Sequence, residues 1–140
     1  KNNTKSLQFN IEKPDIPDKS SISLVSDDTP LFCFTYFDHG LLKKKKQHNT
    51  DLCFCFLERL QKLSEYGWKA IMTSDKHGFG TEKIPIKQIK CSLPSIITPD
   101  VQHLLVFRAK GNKLPFLGLR EKNIFHVLYI EPDFGVIYDH

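Results

Sequence analysis

The stretch Phe125–His140, FHVLYIEPDFGVIYDH, carries His126, Tyr129, Glu131, Asp139 and His140, all groups that can move protons or grip phosphate. Just upstream lies a basic set: Arg108, Lys110, Lys113, Arg120 and Lys122. Arginines on strands, next to basic turn residues, can hold a phosphodiester through paired hydrogen bonds and stabilise its charge during cleavage. A further acid and base sit in KHGFGTEK, where His77 and Glu82 flank a Gly-x-Gly turn whose backbone can approach a ligand closely. An imidazole such as His126 or His77 changes charge near neutral pH, which suits proton transfer. Finally, GLLKKKKQH places Lys43, Lys44, Lys45 and Lys46 in one run. Such a run releases counterions on meeting nucleic-acid phosphates, although no aromatic residue is interleaved for base stacking.

Each of these groups also has a plain structural reading. Arg108 and Arg120 can be exposed strand ends, KHGFGTEK a hairpin turn, the lysine run a solvated loop and His126 a core histidine. Cys33, His39, His48 and Cys53 lack the paired spacing of structural zinc sites, so no metal and no other cofactor is expected.

The elements that must position these groups follow from periodicity. From Asp51 to Tyr66 the apolar residues Cys53, Phe56, Leu57, Leu60 and Leu63 recur at helical spacing, and Gly67 offers a left-handed cap. Leu31–Phe37 and Trp68–Ser74 read as strands, and Ile22 and Leu24 alternate with Ser as a further short one. Residues 84–98 read either as a short strand or as a short helix and a turn. His103–Ala109, Pro115–Arg120, Ile124–Glu131 and Val136–Asp139 are β-rich runs separated by turn signals, which makes an antiparallel meander. The fold class is therefore α+β: an antiparallel sheet of about five to seven strands with one long amphipathic helix packed on a face. Residues 1–20 read as an extended or partly disordered arm and 21–140 as a single domain. Strict alternation puts His126 on one face of its strand and Tyr129 and Glu131 on the other, so they share a cleft only if a bulge intervenes.

At 140 residues the chain can bury a real core without disulfides or metal, and eleven Phe point to a core built on phenylalanine. A net charge of +4 permits contact with nucleic acid without demanding it. Cys33, Cys53, Cys55 and Cys91 sit in apolar surroundings and read as reduced, mostly buried thiols of a cytoplasmic protein. No run approaches the ~20 apolar residues that span a bilayer, so no membrane partner is expected. The chain starts at Lys1 and its only Met is Met72, so an address carried upstream would not be visible.

The order LLVFRAKGN, LPFLGLR, IFHVLYIE resembles the terminal meander of the RelE/ParE-like toxin superfamily. The matching phrases are Leu117-Gly118-Leu119-Arg120 and His126–Glu131. The resemblance implies a small antiparallel sheet with helices on one face and, in many members, a ribosome-dependent or free endoribonuclease held in check by a protein antitoxin. It carries the basic catalytic set onto Arg108 and Arg120, with His126 or Tyr129. Members usually place two helices first, whereas this chain opens with strands. The functional expectation is a small toxin-like protein cleaving RNA on a basic sheet surface. The alternatives are a non-enzymatic protein-interaction domain of phage or plasmid type, or a nucleic-acid binder without catalysis.

Overall fold

The structure is a computed structural model that describes residues 25–43, 50–75, 79, 81–111 and 113–140. The expected N-terminal arm, Lys44, Lys45, Lys46 and His77 lie outside the described residues.

The amphipathic segment forms helix α2, Thr50–Tyr66, which buries Phe56 and Leu63. It ends where Gly67 turns into positive φ, 83°. A side chain there would collide with the Asp28 carboxylate, 2.3 Å from an added Cβ. That carboxylate and its backbone carbonyl accept the N–H groups of Lys69 (2.9 Å) and Trp68 (2.8 Å). Asp28 thus satisfies the first free donors of a second helix, α3, Trp68–Thr73.

The strand expected at Trp68–Ser74 is therefore a helix. Its buried residues are Trp68 and Ile71, three apart, which is helical rather than alternating spacing. Helix α1, Gly40–Lys43, is a single turn.

Among the described residues the sheet has five strands, in the order β1-β5-β4-β3-β2. β1 is Leu31–Cys33, β2 Glu82–Pro85, β3 His103–Lys110, β4 Lys113–Glu121 and β5 Ile124–Ile130. β2 to β5 pair antiparallel, while the short β1 runs parallel to β5. The expected α+β sheet is present, and it is mixed rather than purely antiparallel. The ambiguous residues 84–98 resolve into the end of β2, a 3-10 turn at Ile86–Gln88 and loop.

One sheet face packs against α2 and α3 through Phe56, Leu63, Trp68, Ile71, Phe107, Phe116, Phe125 and Val127. Phe107 stacks on Phe116 at 5.3 Å, with Phe125 edge-on to both. The phenylalanine core is real. The other face is covered by the loop around Ile89–Ile97 and by the segment after β5, which inserts Ile137 and Tyr138. Val136–Asp139 is consequently not a strand. Ile137 and Tyr138 are consecutive yet both pack into the same loop-side core, which alternation along a strand would have divided between two faces.

Between β4 and β5 the register slips. Leu117 faces Tyr129 and Gly118 faces Val127, leaving Leu128 as an extra residue. Its carbonyl accepts the Asp38 N–H at 2.9 Å, so the chain following β1 supports the bulge. Gly118 is required beside it, because an added Cβ would lie 2.0 Å from the His126 carbonyl oxygen.

Candidate functional site

The bulge changes which residues share a face. Phe125, Val127 and Ile130 belong to the helix-side core, whereas Leu128 and Tyr129 belong to the loop-side core. The extra residue shifts the alternation by one. His126, Tyr129 and Glu131 thus end on the same, loop-covered face, where uninterrupted period two would have separated them.

On that face the strands bring together a polar cluster. Arg108 lies between Phe107 and Ala109, which point to the helices, so its side chain points to the loops. Its Nη2 donates to Glu82 Oε2 at 3.1 Å, an ion pair between β3 and the edge strand β2. Both side chains keep some solvent contact. Behind them the buried Tyr138 ring approaches the Arg108 guanidinium. Burial first, then the Glu82 and Glu131 charges, push its hydroxyl up to about 12, against the lowering effect of Arg108.

Glu131 is the one charged residue in the buried core among the described residues, at 1% exposure. One of its carboxylate oxygens accepts the N–H groups of Ile137 (2.8 Å) and Tyr138 (3.4 Å). The other accepts from His140 Nε2. The imidazole is packed between Phe134 and Tyr138, at ring distances of 4.6 and 4.1 Å. Lys90 secures the same segment by donating to the Gly135 carbonyl at 3.0 Å and to the Asp139 carboxylate. The arrangement is a partly exposed imidazole oriented by a buried carboxylate, with Tyr138 packed on the imidazole and within the field of the Arg108–Glu82 pair. Chemically it can bind an oxyanion and move protons next to it.

The other expected site residues fall elsewhere. Arg120 alternates onto the helix face, opposite Arg108, where its guanidinium stacks over Trp68 at 4.3 Å. Its Nε donates to the Lys122 carbonyl at 2.7 Å. The two arginines therefore do not converge, because Arg108 pairs with Pro115 and Arg120 lies five residues, an odd number, farther along β4, which places it on the opposite side of the sheet. His126 shares the loop face with the cluster, yet both its ring nitrogens are buried without a hydrogen-bond partner. Its half-buried ring packs against the exposed Tyr36. Tyr129 donates to the Ser92 carbonyl at 2.5 Å and is shifted well upward, chiefly by burial. It is a protonated structural tyrosine.

Lys110 and Lys122 flank opposite ends of β4, a nine-residue strand. At ~3.4 Å per residue that is roughly 27 Å of strand, too far for one phosphate. Lys43 ends α1. The cysteines are free, and Cys53 is exposed and the other three half-buried rather than mostly buried. Glu131, Tyr138 and His140 form the heart of the cluster; the first and last are visible in FHVLYIEPDFGVIYDH as titratable groups, but their meeting depends on the bulge and the folded-back tail.

No protein-family model matches the chain, and neither a curated protein nor a solved structure is detectably similar to it. Among the described residues no helix is long and apolar enough to cross a membrane.

Proposed function

We propose that this protein is a small RNA-directed, toxin-like endoribonuclease whose chemistry belongs to the loop-side cluster rather than to the two arginines together. The observation that carries this reading is the convergence of the Arg108–Glu82 pair and the Glu131–His140 pair around Tyr138. Arg108 would neutralise the non-bridging oxygens of the scissile phosphate. Glu82, the more exposed carboxylate, would take the proton from the ribose 2′-hydroxyl as its oxygen bonds to phosphorus. His140, held by Glu131, would give a proton to the departing 5′-oxygen, leaving a 2′,3′-cyclic phosphate and a free 5′-hydroxyl. The element order departs from the usual member in that β1 precedes the helices; what favours a kinship with RelE/ParE-like toxins is that α2 and α3 then lead into an antiparallel meander. A ribosome and a protein antitoxin would then be partners.

The test is incubation of the purified protein with free RNA and with translating ribosomes, followed by end-group analysis of the fragments. Cleavage leaving cyclic phosphate ends, abolished in Arg108→Ala and His140→Ala, is expected. Intact RNA under both conditions, where a control nuclease cuts, would sink the reading.

A second reading, a non-enzymatic protein-interaction domain, is favoured by one feature. β1 is a three-residue edge strand flanked by the exposed side chains of Leu31, Phe34 and Tyr36. An edge of that kind can accept a partner's strand. A pull-down that captures a partner and fails after Phe34→Glu, with RNA left intact, would favour it.

A further inference from the structure

Next to the Glu131–His140 pair, a cavity of about 360 Å³ opens at the end of the sheet. Its walls include Lys110 and Lys113 from the β3–β4 hairpin, Glu131, Asp133 and Phe134. The volume is at the small end of ligand pockets, the scale of a single nucleotide rather than a folded RNA.

Two features of the walls go beyond the presence of a cavity. First, Lys110 and Lys113 are direct cross-strand partners. Like charges placed opposite each other in an antiparallel pair repel, a cost that an anion between them would turn into attraction. Second, Phe134 is 57% exposed although the segment around it is firmly anchored by Glu131 and Lys90. An aromatic ring held on a fixed backbone, in T-shaped contact with His140 and with its remaining surface in solvent, is a stacking platform. The carboxylate of Asp133 stands in the same wall. It therefore leaves the hairpin side, with the two lysines, as the place for a phosphate.

We propose that this cavity binds one nucleotide of single-stranded RNA next to the scissile phosphate, its base stacked on Phe134 and its phosphate between Lys110 and Lys113. The proposal rests on the nuclease reading for its substrate class, and it deepens that reading by assigning a base-binding subsite. Because Phe134 contacts His140, a base seated there lies directly beside the group assigned to protonate the leaving oxygen.

The experiment measures binding without cleavage. A fluorescently labelled tetranucleotide with 2′-O-methyl riboses, which has no free 2′-hydroxyl to attack, is titrated with the full chain and followed by anisotropy. Phe134→Ala should weaken binding about tenfold, the scale of one base–aromatic stack. It should lower the urea midpoint by no more than about 0.5 M, the scale of losing the ring's contact with His140. An oligonucleotide made abasic at successive positions should lose the same factor at one position on the wild type, and nothing further on Phe134→Ala. Lys110→Gln with Lys113→Gln should flatten the dependence of binding on salt by about one phosphate's worth.

Equal affinity of Phe134→Ala and wild type, or no abasic position that matters, would overturn the subsite. So would the absence of wild-type binding up to millimolar protein. The two ideas fail separately: cleavage with an unchanged Phe134→Ala affinity keeps the nuclease and removes the subsite. Position-dependent binding without any cleavage keeps the subsite and removes the nuclease.

Discussion

Replacing Glu131 tests whether the segment after β5 is locked by one buried carboxylate. In Glu131→Ala the N–H groups of Ile137 and Tyr138 lose their acceptor while remaining in the loop-side core. A buried donor left unpaired costs about 1–3 kcal/mol, and the longer Tyr138 contact belongs at the low end of that range. Adding the lost side-chain packing and the lost partner of His140, the expected total is about 3–5 kcal/mol. That is a large part of the ~5–15 kcal/mol that stabilises a typical domain. With a urea slope of roughly 2 kcal/mol per molar for a chain of this size, the midpoint should fall by about 2 M. Trp68 is the assay's reporter: it is the only tryptophan and is buried on the opposite sheet face. Its emission therefore follows global unfolding rather than local fraying of the tail. Glu131→Gln keeps an oxygen for the two backbone donors and loses only the charge facing His140, so a loss of about 1 kcal/mol is expected. A midpoint for Glu131→Ala within about 0.3 M of wild type would refute the latch, because no burial of two unpaired donors is that cheap.

The two arginines should separate cleanly. Arg120→Ala removes the guanidinium over Trp68 and should cost about 1–2 kcal/mol in urea unfolding while leaving RNA cleavage intact. Arg108→Ala, at a partly exposed ion pair, should do the reverse, with cleavage lost and stability changed by about 1 kcal/mol or less. Gly118→Ala should yield little folded protein at 37 °C, because backbone rather than a flexible side chain blocks the new methyl; a wild-type melting curve would count against the bulge. Stability should also decline at alkaline pH. Tyr138 titrates at about 12 in the folded chain against about 10 when unfolded, so its contribution is complete below pH 10 and lost as pH rises through 12. At ~1.4 kcal/mol per unit this is about 2–3 kcal/mol; Tyr129, also shifted well upward by burial, loses its contribution over the same window, so Tyr138→Phe should remove the Tyr138 share of the decline in urea midpoint and leave the Tyr129 share in place.

Periodicity alone was enough for α2 and for three of the four expected meander runs, because long amphipathic spacing and hairpin turns are local properties. It misread Trp68–Ser74, although the three-residue interval between Trp68 and Ile71 was there to see. The capping group that decides for helix is Asp28, forty-one residues away in sequence from Lys69. The candidate site shows the same division. The residue types in FHVLYIEPDFGVIYDH announced proton-transfer chemistry, and Arg108 and Glu82 were named from the sequence. What period two could not supply was the phase. A single extra residue at Leu128, tolerated because Gly118 lacks a side chain and because Asp38 takes up the Leu128 carbonyl, moves Tyr129 and Glu131 onto the face of Arg108. The sequence by itself determined β3, β4 and β5, the long helix and the chemical vocabulary of the last strand. The tertiary structure decided which side of the sheet each word stands on, since the face of a residue beyond a bulge depends on neighbouring strands and not on its own spacing.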